Sequence, residues 1–486
     1  MSSHRKPQGM LNNLIRPDYV PGRICTWFCL SIGCLLFTAC TPEISRQASS
    51  VQPQGGFSAT GQAYLPEQWW QSFEDPTLNQ LVSRALNGNF TLQSAWDRLD
   101  RAQAIARKAG ADLVPQLNGE AGGSTSRSRS NSRTDSSQSF NLGLSASYEM
   151  DLWGRVRSTS EAADLDALAS AEDLQTAALT LSAQVATVWF QLLEQRSQIE
   201  ILQQQQQTNE QGLELISLQF RTGQTSIADL LQQRQVVESR RGERALANGR
   251  AQVLQNQLAV LLGMTPDQAP QVTANKLAEL PPLPATGLQS SLLERRPDVR
   301  AAWLQIQAAD QRVAAAIADR FPRLSLTGRA NTASEQIEDL FDNWLASLAA
   351  NLVAPLVDGG QRRAEVERSQ AVAAERLHDY GQTVLEALAE VEDALALEQR
   401  QQEYIASINR QLELAGQATV RIRDRYLNGA EDYQRILIAL LSKQLLQRTQ
   451  LTAQRELLVN RVNLCRALAG GWEMSRQLKQ PTLKGE

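Results

Sequence analysis

The chain repeats itself. Ala95-Trp96 returns as Ala302-Trp303, Pro115-Gln116-Leu117 as Pro322-Arg323-Leu324, and Phe220-Arg221-Thr222-Gly223 as Tyr426-Leu427-Asn428-Gly429. Spacings inside the halves agree: 19 positions from Trp96 to Pro115 and from Trp303 to Pro322, and 69 from Gly154 to Gly223 and from Gly360 to Gly429. The offset is 207 at Pro115/Pro322 and 206 at Gly223/Gly429. A fixed internal offset means one structural unit used twice. The units span 76–270 and 288–472, with a Pro-rich linker at 271–287 and a tail at 473–486.

Each half has the same layout. A helix of about twenty residues ends at the repeat proline, a strand-like hairpin follows (115–153 and 322–358), and two long helices come next (155–263 and 361–470). No proline occurs from Gln116 to Thr265 or from Leu356 to Gln480. Arg155 to Thr222 and Gln361 to Asn428 are each 68 residues, rich in Ala, Leu, Gln and Glu. At about 1.5 Å per residue such a helix reaches about 100 Å. Helices of that length cannot bury themselves in one compact core, so their partners are other long helices. The Gln203–Gln207 run reads as exposed surface on one of them.

From Phe140 to Met150 the apolar residues fall on even positions, the period of a strand with one oily face. Its partner, roughly Gln116 to Arg127, carries Leu117, Gly119 and Ala121 on one side, and the Ser/Arg-rich stretch Ser124 to Gln138 reads as an exposed loop between them. In half two, Leu324, Leu326, Gly328 and Ala330 alternate with polar residues, and Leu348, Ala350, Leu352, Ala354 and Leu356 mark a last strand. About ten residues suffice to cross a membrane as a tilted strand. Four strands cannot close a membrane barrel, and an open edge leaves backbone groups unpaired in hydrocarbon. The pattern therefore calls for several copies, and three give twelve strands. A small soluble sheet, its oily face under helices, is the alternative.

The amino terminus reads as an export signal. Arg5, Lys6, Arg16 and Arg23 precede an apolar stretch from Ile24 to Phe37 that is short for a span. An uncleaved anchor is the alternative. Phe37-Thr38-Ala39-Cys40 resembles a bacterial lipobox, which would make 1–39 a signal peptide, Cys40 the lipidated first residue and 40–75 a lipidated extension. Thr41, where Asp would favour the inner membrane, leaves the outer membrane open. Of five cysteines only Cys465 lies beyond the lipobox, so the mature chain has no disulfide, and its apolar helical setting marks it as a small core residue.

Chemistry is sparse. A net charge of −4 gives no basic field for nucleic acid. His378 is the one histidine after the signal, which removes histidine-based triads and zinc sites. Gly359-Gly360 has no Walker lysine after it. The sequence implies no enzyme, no cofactor and no metal.

Several motifs, in order and at repeat spacing, resemble the outer membrane factors, the TolC-like family, and especially the lipoprotein, NodT-like branch of tripartite efflux systems. They are Trp69-Trp70-Gln71-Ser72-Phe73-Glu74-Asp75-Pro76-Thr77-Leu78, Asp151-Leu152-Trp153-Gly154-Arg155, Arg295-Arg296-Pro297-Asp298 and Pro355-Leu356-Val357-Asp358-Gly359-Gly360-Gln361-Arg362. The resemblance implies a mainly α protein with a transmembrane β-barrel. In such a homotrimer each protomer gives four strands and long helices in two structural repeats. It implies a passive exit duct for small molecules across the periplasm and outer membrane. Docking to a periplasmic adaptor (membrane fusion) protein and an inner-membrane pump, RND type, comes with it. A non-conducting periplasmic coiled-coil structural lipoprotein is the alternative. The resemblance also implies a gate where the long helices reverse. Asp229 and Tyr426 stand where the family has a paired aspartate and tyrosine. Arg435 and Ile438 replace the acidic residues that many members carry beyond the second glycine, leaving Glu431 and Asp432 as candidates for a negative ring. Arg221, Thr222, Gly223, Arg425, Asn428 and Gly429 form the tip turns and the adaptor-docking candidates.

Overall fold

The computed structural model describes residues 55–472 and 474, except 131, 132, 271, 273 and 275, and for 130, 133 and 134 only the backbone. The described residues belong to one compact unit, Ala48–Glu486. Cys40 and the signal lie outside the described residues.

Two short helices open each half: α1 (Pro76–Gly88) and α2 (Phe90–Ala111), then α5 (Gln289–Arg295) and α6 (Pro297–Ala318). Asp75 starts α1 by accepting from the amides of Thr77 and Leu78, and Pro76 sits at the first position, where its missing N–H costs nothing. The long helices are α3 (Arg155–Arg221) with α4 (Ile227–Leu261), and α7 (Gln361–Leu427) with α8 (Tyr433–Leu468). α3 and α7 are both 67 residues, about 100 Å at the helical rise. Their starts are held alike: the Asp151 carboxylate accepts from the amides of Val156 and Arg157, and Asp358 accepts from those of Gly360 and Arg362.

Between the short and long helices run the strands β1 (Gln116–Ser130), β2 (Arg133–Met150), β3 (Arg323–Ser334) and β4 (Trp344–Val353). They form one antiparallel sheet in the order β1-β2-β3-β4. Leu117 stands opposite Ala146, Ala146 opposite Gly328 and Gly328 opposite Leu348, so one face is oily across all four strands. The Ser124 to Gln138 stretch is not a loop: Ser124 pairs with Ser139 and Arg127 with Ser136. Its alternate residues are polar on both faces, so no hydrophobic period announced it, yet the ladder satisfies its backbone and the Ser126 and Ser137 hydroxyls bond at 2.8 Å. The last strand begins earlier than its leucines suggested and ends before Ala354, because Pro355 cannot donate to a ladder.

The core lies midway along α3. Trp69, Trp70 and Phe73 of the early motif pack there with Trp472 and Phe190, in edge contacts and at centroid distances of 5.2 Å for Trp70–Trp472 and Phe73–Phe190. The indole of Trp69 donates to Ser182 and that of Trp189 to Asp75, so the polar ends of these side chains are satisfied. This stretch of α3 is apolar and long enough to cross a membrane, but most of it is covered by protein. The linker is tied down by Arg461, which donates to the carbonyls of Pro281 and Pro282 and pairs with buried Glu398. Gln205, inside the run read as exposed surface, is buried against α8, while Gln203, Gln204 and Gln207 are exposed.

Candidate channel wall and periplasmic tip

The sheet is not covered. Every residue of β4 is exposed, and Leu117, Leu144, Leu348 and Leu352 face outward with Leu348 83% accessible. Among the described residues no helix packs extensively on the sheet, and its oily face stays open, which overturns the small soluble sheet. The opposite face carries Asn118, Glu120, Ser145, Thr327, Arg329 and Asn331. An oily face beside a polar one, on strands of 10 to 18 residues, is the section of a barrel wall with lipid outside and water inside. β1 and β4 have open edges in the single chain. Trp153, stacked on Phe321 at 4.8 Å and donating to the carbonyl of Pro322, joins the sheet to the helices.

The far ends of α3 and α7 turn identically. The Gly223 amide bonds to the Phe220 carbonyl and that of Gln224 to Gln219; Gly429 bonds to Tyr426 and Ala430 to Arg425. Both glycines sit at positive φ, 74° and 72°, the left-handed position such a helix stop requires. The Thr222 hydroxyl and the Asn428 amide donate back to carbonyls of their own helices. Arg221 is exposed, with no ion pair among the described residues.

The structure gives Asp229 and Tyr426 different partners. The Asp229 carboxylate accepts from the hydroxyls of Ser226 (2.6 Å) and Thr225 (2.9 Å) and from the Ser226 amide, a capping box at the start of α4. These bonds, the Ser226 hydroxyl first, hold its carboxyl below the usual range. Tyr426 donates to Gln219 at 2.8 Å, within 6.2 Å of the Tyr433 ring. The acidic candidates are also engaged. Glu431 is clasped by Arg425 (3.1 Å) and Arg435 (3.7 Å), and Asp432 caps α8 by accepting from the Arg435 amide. With Arg435 on Glu431, the arginine in an acidic position has a local use.

Sequence reasoning missed the polar seam behind the tip. Tyr433 donates to Gln233, whose amide donates to the Asn209 carbonyl; Asn209 reaches Gln444, and Gln205 donates to the Gln444 carbonyl. Asn209, Gln233, Gln205 and Gln444 are all buried. Burial, then the nearby Tyr426 and Asp229, pushes the Tyr433 hydroxyl up, so it stays a neutral donor. The available signal was spacing: Gln198, Gln205 and Gly212 recur every seven residues, the period of a helix seam.

Known proteins carry the same architecture. The family model described as outer membrane efflux protein matches residues 81–264 and 288–470, one segment in each half. The pyoverdine export outer membrane protein OpmQ of Pseudomonas aeruginosa is 33% identical over 459 residues, 92% of this chain and 97% of that protein. The cation efflux system protein CusC of Escherichia coli K12 is 31% identical over 455 residues, 91% and 98% of the two chains. The crystal structure of the open Neisseria gonorrhoeae MtrE outer membrane channel superposes with a TM-score of 0.77 at 28% identity, covering 87% of this chain and 96% of that one. A CusC crystal structure gives 0.75 at 30% identity, covering 87% and 100%. With the repeat, the bare four-stranded sheet and these likenesses together, the chain belongs to the outer membrane efflux protein family.

Proposed function

We propose that three copies of this chain close one twelve-stranded barrel in the outer membrane and hang a helical tunnel about 100 Å long into the periplasm. Through it small molecules leave the cell passively. The observation that carries this reading is the sheet, oily and uncovered on one face, polar on the other and open at both edges. Hydrocarbon does not tolerate such edges, and closure by copies is the way to remove them. A spacer lipoprotein would have no use for that sheet.

Lipid on Cys40 anchors the mature chain beside its barrel. A periplasmic adaptor docks at the tip turns, on Arg221, Thr222, Gly223, Arg425, Asn428 and Gly429. Driving energy comes from an inner-membrane pump of RND type. The names of the relatives span pyoverdine, cations, solvent and toluene, so a shared fold serves unlike cargo and the pump selects it. The duct opens at the tip, where Asp229, Tyr426, Glu431 and Asp432 hold the turns. Reconstitution of the trimer in a planar bilayer tests the reading. Native protein should conduct poorly, and Glu431→Ala, which releases Arg425 and Arg435, should raise single-channel conductance several-fold. Absence of any conductance from folded, membrane-inserted trimer would overturn the duct, and unchanged conductance in the variant would overturn the gate.

A further inference from the structure

The outer strands β1 and β4 each present a row of backbone groups with no partner strand. In the trimer proposed above, on which the present inference rests, β4 of one copy pairs with β1 of the next. Two features limit how they can pair. The first is length, since β4 has 10 residues and β1 has 15. All of β4 finds partners in an antiparallel ladder only when Val353 stands opposite a residue between Gln116 and Ala121. The second is facing, because residues paired across a ladder share a face. The oily side of β4 is Trp344, Ala346, Leu348, Ala350 and Leu352; that of β1 is Leu117, Gly119 and Ala121, continued outward by Thr125, Arg127 and Arg129. Val353 therefore meets Gln116, Asn118 or Glu120, and Trp344 meets Thr125, Arg127 or Arg129.

These registers differ by two residues, so the hydrophobic pattern cannot choose among them. A one-residue slip turns every side chain to the wrong face, but a two-residue slip does not. Charge can choose. The loop joining β3 to β4, residues 335–343, carries Glu335, Glu338, Asp339 and Asp342, all exposed and without an ion pair among the described residues. Arg127 and Arg129 are exposed and likewise unpaired among the described residues, and Trp344 is 77% accessible. Opposite charges therefore stand at the outer ends of the two strands that must meet.

We infer that the neighbouring copies join with Arg127 of one opposite Trp344 of the next and Arg129 opposite Asp342, a clasp at the outer rim that fixes the register of the barrel seam. This register uses both arginines, one on an aromatic face and one beside the acidic loop. With Val353 on Gln116, Arg127 meets Asp342 but Arg129 meets Leu340, and with Val353 on Glu120, Arg129 meets Trp344 but Arg127 meets Ala346, so each of these registers engages only one of the two arginines. Exposed ion pairs add little stability each, so their work here is selection between otherwise equivalent pairings.

Cysteine cross-linking of the full-length protein in outer membranes tests this. The double variant Arg127→Cys with Trp344→Cys should give covalent trimers with a short thiol cross-linker. Thr125→Cys or Arg129→Cys, each with Trp344→Cys, report the other two registers, and Gly123→Cys with Trp344→Cys lies outside the allowed window. Preferential cross-linking of any of these three other pairs overturns the assigned register while leaving the trimer intact. A native mass of one chain, with no pair cross-linking, overturns the trimer reading itself. Charge is tested separately. Arg127→Glu with Arg129→Glu should lower the temperature at which detergent-solubilised trimers dissociate, and adding Asp339→Arg with Asp342→Arg should restore it. A trimer indifferent to the first pair, or not rescued by the second, rules out the clasp.

Discussion

The two 67-residue helices, α3 and α7, are repeats of one another and live in opposite surroundings. Along α3 the chain buries Leu181, Val185, Ala186, Trp189, Phe190, Leu192 and Leu193 beneath its own early Trp-Trp motif and Trp472. Along α7 fewer side chains are buried, among them Val384, Val391 and Leu395, and Leu385, Leu397, Tyr404, Leu414 and Val420 are each at least half exposed. The difference has a cause in the chain. The Trp69–Phe73 turn precedes half one, whereas the Pro-rich linker that precedes half two brings no aromatic cluster. One helix is thus the spine of the chain, and the other leaves part of an apolar flank uncovered, which the proposed trimer would bury against a neighbouring copy. Equivalent positions show the same division. Leu192 of α3 corresponds, 206 residues on, to Glu398 of α7, where a leucine core gives way to a buried pair with Arg461.

That contrast can be tested along both helices and at the tip they reach. The largest effect falls on the spine. Trp189→Ala should cost about 3–5 kcal/mol and leave little folded protein, read as lost protease resistance after purification. Leu397→Ser on α7 should leave the single-chain fold intact and weaken association between copies, read by native mass. Equal losses from both would erase the distinction. Next comes the polar substitute for a core: Glu398→Ala strands the Arg461 guanidinium and should cost about 3–5 kcal/mol in chemical denaturation. Glu398→Leu with Arg461→Met should recover most of it, because two charges then leave the interior together. The smallest effect is at the half-one tip. The folded carboxyl of Asp229 lies below its usual value, so its contribution is present above the unfolded pKa of about 3.9 and fades as pH falls through the lower folded value. A carboxylate in the first turn of a helix is worth about 0.3–1 kcal/mol, so amide exchange at residues 227–231 should quicken only at strongly acidic pH, and Asp229→Asn should remove that dependence.

Much of the architecture was legible from the chain alone. Proline-free stretches bounded by glycines set the long-helix lengths, period two marked the oily strands, and the repeat placed both sets twice. The tip was legible in part. Gly223 and Gly429 announced their turns, because a left-handed stop favours glycine whatever surrounds it. The partners of Asp229 and Tyr426 were not legible. Ser226 and Thr225 lie three and four residues before the carboxylate and reach it first, and Gln219 reaches the phenol from α3.

Local periods of the backbone were enough to name the helices, most of the strand residues and the oily side of each element. Only the packed chain settled what each side meets. It buried Gln205 against α8 and extended a serine-rich hairpin that has no hydrophobic period. It also left β4 bare along its whole length and set two arginines on Glu431. A side-chain period names a face, but the partner on that face comes from residues hundreds of positions away, or from another copy, and no local pattern records it.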